Sequence, residues 1–293
     1  MKPARFEYVR PETVPAALEL LASHGSDAAI LAGGQSLVPM LNFRIARPQM
    51  LIDVNRIGGL DRIGVQDGTL IIGARARHSE VLRSQLVHLH APLLREGLKH
   101  VAHAAIRNRG TLGGSLALAD PAAELPACIV CLGAEITLAS RRGERAVAAE
   151  DFFTGLYTTA CAADELLLHV RIRPIGPQWR FSFGEVARRH GDFALAGLAF
   201  VVRLAGDRID DCRIAFCGVE VAPRRLRKVE HSLTGAELNN AAARVAACAA
   251  LAEELEPMSS GDCPADYRIH IASALLNDAV ERVAREESFR GDD

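Results

Sequence analysis

Ala32-Gly33-Gly34-Gln35-Ser36-Leu37-Val38-Pro39 and, further on, Gly110-Thr111-Leu112-Gly113-Gly114-Ser115 leading into Asp120-Pro121-Ala122-Ala123-Glu124-Leu125-Pro126 decide how this chain reads. Each run pairs a Gly-Gly step with a hydroxyl residue, which lets the backbone approach an anion closely and turn several N–H groups toward it. Two such runs point to one nucleotide held from two sides. Neither is a Walker loop, because no Gly-Lys-Ser/Thr follows, and neither has the Gly-x-Gly-x-x-Gly spacing of a Rossmann turn. Both are read as loops. The second leads into a helix in which Asp120 is the cap and Pro121 takes the first position.

Around the first run, Thr13 is expected to cap a helix with Leu18, Leu21 and Ala22 as its apolar stripe, and Gly25 to end it. Residues 29–31 then read as a short buried strand entering the run. Residues 51–54 form the next strand, bounded by Pro48 and Asn55. Toward the second run come a strand at 70–72, a helix opening at Ser79 and Glu80, and a helix over 92–105 with Leu93, Leu94, Leu98 and Val101 at helical spacing. Beyond it, 122–132 reads as helix and 134–138 and 165–172 as strands. Pro174-Ile175-Gly176-Pro177 breaks regular structure and marks a boundary. Three strands follow, at 179–188, 195–204 and 208–219, the last two joined by the hairpin signal Gly206-Asp207. Two alanine-rich helices, 236–256 and 264–285, complete the chain. Strands first and helices after predict an antiparallel sheet with helices on one face, within an α+β protein. Residues past Glu286 read as a flexible tail.

At 293 residues and 49% hydrophobic content, the chain has material for more than one core. Its formal charge of −2, from 34 basic and 36 acidic residues, gives no broad field for nucleic acid or an anionic membrane. No stretch reads as a secretory signal or membrane span, so the expected compartment is the cytoplasm. Seven cysteines, an odd number, favour reduced thiols over a disulfide framework. Cys128 and Cys131 sit in an apolar helical run without a second pair at metal spacing, and read as small core residues. His100 and His103, expected on one helix, read as surface or core residues rather than ligands. No metal site and no catalytic residue emerge, since His-Glu-x-x-His, Gly-x-Ser-x-Gly and iron–sulfur cysteine spacing are all missing.

Four blocks in order resemble the FAD-binding, or medium, subunit of molybdenum hydroxylases of the aerobic carbon monoxide dehydrogenase and xanthine dehydrogenase family. They are Ala32–Pro39, Arg47-Pro48-Gln49-Met50-Leu51-Ile52-Asp53, the stretch from Arg107 to Pro126, and Ala187-Arg188-Arg189-His190-Gly191-Asp192-Phe193-Ala194. The resemblance implies a two-subdomain FAD-binding fold of the vanillyl-alcohol-oxidase type over 1–175, with subdomains of about 1–58 and 59–175. It further implies a C-terminal domain of the carbon monoxide dehydrogenase flavoprotein type over 178–286, with the tail at 287–293. By the same resemblance Ala32, Gly33, Gly34, Gln35 and Ser36 wrap the pyrophosphate with Leu37 beside them, Thr111, Gly114 and Ser115 meet the nucleotide from the other side, and Glu124 binds a sugar hydroxyl. Ala102, Leu168 and Phe193 fall near the rest of the cofactor, with Phe193 nearest the isoalloxazine.

The cofactor implied is FAD. Molybdopterin and 2Fe–2S clusters are implied on a large and a small partner subunit, the three arranged as a dimer of heterotrimers. Two features depart from the family's pattern: Leu118 stands where many relatives carry His, and Phe183-Gly184-Glu185-Val186 lacks a Lys that relatives have before the paired arginines. Arg188 and Arg189 read either as a solvated strand end or as an interface or flavin-edge pair, with Asp192 as an ion partner. Two other readings of the chain stay open at this level: a self-contained FAD-dependent oxidase or reductase, and a non-enzymatic nucleotide-binding module.

Overall fold

In the computed structural model of the protein the described residues are 2–261 and 263–285, so the expected tail past Glu286 lies outside them. The chain opens with β1 (Glu7–Val9), α1 (Val14–His24), β2 (Ala28–Leu31), α2 (Leu37–Asn42) and β3 (Met50–Asp53). The three strands form a parallel sheet with β3 in the middle. Thr13 caps α1 through the Ala16 N–H, and Gly25 ends the helix. Its buried face is Ala17, Leu18 and Leu21. Ala22 is exposed, a correction to the expected stripe: it lies one position round from Leu21 and faces solvent. Strand β2 is half-buried rather than buried, since it is an edge strand of this sheet.

The second unit contains β4 (Ile63–Gln66), β5 (Thr69–Gly73), α3 (His78–Arg83), α4 (Gln85–His90), α5 (Pro92–His100), α6 (Ala104–Arg107), α7 (Leu112–Leu118) and α8 (Glu124–Cys131). It continues through β6 (Glu135–Ser140), β7 (Gly143–Ala148), α9 (Ala149–Phe152), β8 (Phe153–Gly155), β9 (Thr158–Thr159) and β10 (Leu166–Ile172). Strands pair antiparallel in the order β4-β5-β10-β6-β7. Three local expectations change here. The helix expected over 92–105 breaks after His100, because Ala102 adopts φ +39°, and α6 restarts the chain in a new direction. The second glycine run is not a loop: Thr111 caps α7 and Gly113, Gly114 and Ser115 form its first turn. Asp120 accepts the Ala122 N–H in a tight turn, so α8 begins at Glu124 rather than at Ala122. Every residue of α8 is buried, which accounts for Cys128 and Cys131 as core residues, both fully enclosed.

The third unit is the antiparallel sheet β11 (Trp179–Ala187), β12 (Ala194–Ala205) and β13 (Arg208–Cys217), followed by α10 (Arg227–Leu233), α11 (Ala241–Glu254) and α12 (Ala265–Ala284). Alternation along β12 sorts its side chains cleanly. Leu198, Phe200 and Val202 pack with Leu251, Leu276 and Val280 from the following helices. Ala199 and Val201 face the other way and join the core of the second unit, with Leu98, Cys128 and Cys131. The chain's own helices thus take one face of the sheet, as expected, and α5 and α8 cover the other. A backbone bond from the Gly218 N–H to the Pro121 carbonyl (2.7 Å) ties the sheet to the turn before α8.

Candidate cofactor site

Three segments of unrelated sequence position are laced together between the first two units. After β5 the chain turns at Ala74 and Arg75 and enters α3 at His78, and the second glycine run pairs with this segment. His78 N–H donates to Gly110 O, Leu112 N–H to Ala76 O and Gly113 N–H to Ala74 O, at 2.8–3.0 Å. The first glycine run then lies against the second, since a Cβ on Gly33 would overlap the Arg109 carbonyl and come within 2.9 Å of the Gly110 Cα. Side chains complete the join. Asn55 Nδ2 donates to the Ala32 carbonyl (2.9 Å), while Arg77 donates from Nη2 to Asn55 Oδ1 (2.7 Å) and from Nη1 to the Arg109 carbonyl. One asparagine and one arginine therefore bridge both runs.

Asn55 is itself anchored. Its backbone N–H (2.8 Å) and side-chain amide (2.6 Å) both donate to Asp53 Oδ1, and Tyr8 donates to Asp53 Oδ2. Burial pulls the Asp53 carboxyl up, but the hydrogen bonds from Tyr8 and Asn55 outweigh it and hold its pKa below the usual value. This chain of bonds from Tyr8 to Arg109 was not legible in the sequence. By sequence Asn55 is only the boundary of a strand, and no local pattern links it to Arg77.

The runs open onto a cleft of about 1060 Å³. It is lined by Ala32, Gly33, Gly34, Gln35, Ser36 and Leu37 from one side and by Thr111, Gly114, Ser115 and Glu124 from the other. That volume is at the upper end for small-molecule sites and suits a ligand of dinucleotide size. Gln35 Nε2 donates to the Gly33 carbonyl (3.0 Å) and pins the first turn. Gly34 has φ +72°, a backbone conformation that glycine adopts without strain. Farther along, the tip of the β11–β12 connection at Gly191 packs on Ala102 and His103, so Ala102 and Phe193 meet at the same end of the cleft. Phe193 is 75% exposed there, with Arg188, Asp192 and Arg268 also on the lining. Leu168 is placed elsewhere: it is buried in the core shared by α1, β3 and β10, and its neighbours Leu166 and Leu167 line the cleft instead.

Glu124 is buried in the cleft wall. Burial, with Glu185 and Asp120 adding repulsion, pushes its carboxyl up to about 8, so near neutral pH it is largely protonated and both donates and accepts. Glu185 is likewise raised to about 7 by burial. Cys128 and Cys131 thiols are pushed up by burial as well, the latter to about 12, and their sulfurs face the Leu93 and Arg213 carbonyls. They are inert packing groups. His100 and His103 do not share a helix: His100 ends α5 with its ring 5.1 Å from Phe183, and His103 precedes α6. Among the described residues no group of His, Cys, Asp and Glu is arranged to hold a metal, and no helix is long and apolar enough to cross a membrane.

Comparison with known proteins agrees with this geometry. Residues 4–174 match the FAD binding domain in molybdopterin dehydrogenase, and residues 181–283 match the CO dehydrogenase flavoprotein C-terminal domain. The chain is 41% identical over 288 residues to the caffeine dehydrogenase subunit beta of Pseudomonas sp. (strain CBB1), covering 97% of this chain and 96% of that one. It superimposes on carbon monoxide dehydrogenase from Hydrogenophaga pseudoflava with a TM-score of 0.93 at 36% identity, covering 96% and 98% of the two chains. For quinoline 2-oxidoreductase from Pseudomonas putida 86 the TM-score is 0.92 at 37% identity, covering 99% and 100%. Two glycine runs meeting over one cleft, and matches spanning nearly the whole chain, place this protein in the family of FAD-binding medium subunits of the carbon monoxide dehydrogenase and xanthine dehydrogenase group of oxidoreductases.

Proposed function

We propose that this chain is the electron-transfer subunit of a heterotrimeric molybdopterin-dependent hydroxylase or dehydrogenase, in which it receives electrons from the 2Fe–2S clusters of a small subunit and delivers them to a terminal acceptor. A large molybdopterin subunit oxidises the substrate, and the assembly is a dimer of heterotrimers. Residues 1–175 form the FAD-binding domain, divided near residue 58, and 178–286 the C-terminal domain. We place the complex in the cytoplasm, where seven thiols without disulfide partners stay reduced. FAD, when bound, supplies the ability to take up one electron at a time and release two.

The observation that carries this reading is the convergence of both glycine runs on one cleft. Backbone N–H groups at Gly33–Ser36 suit a diphosphate without a formal positive charge, with Gly114 and Ser115 on the other side of the cleft. The protonated Glu124 carboxyl suits a sugar hydroxyl, and Phe193 suits an aromatic ring near Ala102. Ser36 is exposed at the cleft, so Ser36→Glu sets a carboxylate against the diphosphate while leaving the core untouched. The purified wild-type chain is expected to yield extractable FAD in about equal molar amount, and Ser36→Glu to lose most of it while the flavin-free forms of the two melt at the same temperature. A wild-type protein free of flavin even after incubation with FAD overturns the site. Turnover of a small substrate by the isolated chain, without iron–sulfur or molybdopterin partners, overturns the electron-transfer role.

A further inference from the structure

Arg268 stands in the first turn of α12 and lines the cleft beside Ser260 and Leu195. It is 8% exposed. Nη1 donates to the carbonyls of Leu195 (2.5 Å) and Gly218, and Nη2 to Ser260 Oγ (3.4 Å). These bonds fix where the guanidinium lies. Leu195 is two residues beyond Phe193, while the Gly218 N–H donates to the carbonyl of Pro121, three residues before Glu124. Gly218 also joins the two segments directly, since a Cβ on it would stand 2.7 Å from the Ala194 carbonyl oxygen. Arg268 therefore sits between the segment that carries Phe193 and the turn that carries Glu124. Among the described residues no carboxylate forms an ion pair with it.

Charged side chains are rarely buried unless paired, because a buried charge gives up its hydration and needs an opposite charge in return. Carbonyl oxygens occupy N–H groups of Arg268 without cancelling its charge, and a guanidinium stays protonated. Its surroundings do not cancel it either: Glu124 is largely protonated near neutral pH, and Arg188 and Asp192 on the lining carry opposite signs. The missing counter-charge is one that a flavin gains on reduction. Two electrons and one proton turn the neutral isoalloxazine into its reduced anion, with the proton on N5 and the negative charge over N1 and the C2 carbonyl. The ribityl chain leaves the ring at N10, on the side of N1, so a cation between a residue suited to a sugar hydroxyl and one suited to the ring lies toward that edge. We infer that Arg268 is the counter-charge of the reduced flavin, favouring electron uptake through its field rather than through a bond to the ligand. This inference rests on the FAD reading of the cleft, with Glu124 at the ribityl chain.

The test uses the full chain loaded with FAD, in wild type, Arg268→Gln and Arg268→Lys, each reduced by dithionite in equilibrium with a reference dye. Arg268→Gln should move that equilibrium about tenfold toward the oxidised flavin, a fall of about 30 mV in midpoint potential for a two-electron couple. Arg268→Lys, which keeps the charge and loses the planar fork, should stay close to wild type. A merely structural arginine would give the reverse, with both variants melting lower while the potential of the bound flavin holds, and that result overturns the role of Arg268. So does a potential in Arg268→Gln equal to that of wild type, or an equal fall in both variants. Should Arg268→Gln fail to fold, the absorption spectrum of the reduced wild-type flavin serves instead. It should be that of the anion at mildly acidic pH, and a ring protonated at N1 there overturns the role of Arg268. Wild type that takes up no FAD overturns the reading of the cleft, and this inference with it.

Discussion

Gly33 and Gly34 stand side by side and meet different constraints. Gly33 is buried where the two runs touch, and a methyl group there would force the Arg109 carbonyl away. Gly34 is needed for its φ of +72°. Gly33→Ala is expected to destabilise the protein by roughly 1–3 kcal/mol through overpacking and to lower flavin content, read from thermal melts and flavin stoichiometry. A full-strength melt with full flavin would show that the runs do not meet as described. Glu124 sets a pH signature. Its pKa is raised from 4.5 to about 8, so the folded state holds a proton that the unfolded chain has released. The stability it contributes is complete below about pH 4.5 and is lost as pH rises through 8. His78 acts in the opposite sense, its neutral ring favouring the fold above pH 6.5 and losing that advantage as pH falls toward 4. Flavin-free Glu124→Gln should therefore lose less stability between pH 5 and 8 than wild type. Parallel stability curves over that range would place the Glu124 carboxyl in water.

At the level of elements, the strand ends and the turns between them carry the site. Asn55 follows β3 and Arg77 precedes α3, and their side chains span the two glycine runs from opposite sides. Arg77→Leu removes a charged donor to both Asn55 and Arg109, at a cost of about 1.5–3 kcal/mol for a charge-assisted bond. Faster amide hydrogen exchange over residues 32–36 and 109–114 is expected, together with weaker FAD binding. Unchanged exchange in those segments would mean that the backbone pairing alone holds them. Helix α8 gives a contrasting case, because Cys128 and Cys131 look like a functional motif and serve only packing. The double change to Ala is expected to cost about 0.5–1.5 kcal/mol per site, as for removal of one buried heavy atom, with flavin content unchanged. Loss of flavin from a folded double variant would contradict that assignment. The break between α5 and α6 could not be read from periodicity: apolar residues continue through Val101, but the left-handed backbone at Ala102 redirects the chain beneath the β11–β12 connection.

For the whole molecule, the packing of β11–β13 on α5 and α8 means that the C-terminal unit finishes the core of the FAD-binding unit. Phe183, Ala199, Val201, Ala215 and Cys217 share one apolar cluster with Leu98, Cys128 and Val130. Residues 1–175 expressed alone should therefore aggregate or bind hydrophobic dyes, and the full chain should unfold in one transition by calorimetry; a soluble, cooperatively folding 1–175 fragment would refute this. The linear sequence by itself determined the α+β class, the three strands after residue 177, the break near Pro174 and the two glycine runs, because each of these follows from local periodicity, turn residues and backbone freedom. It also carried the two runs that line the cleft from either side. Only the tertiary structure decided that the second run is the start of a helix, that Leu168 packs in a core while its equally buried neighbours Leu166 and Leu167 also line the cleft, and that Asn55 and Arg77 bridge the two runs. Their roles arise from contacts between residues far apart along the chain, where one glycine's missing side chain and one carbonyl's position settle which groups meet, and local spacing carries no record of such contacts.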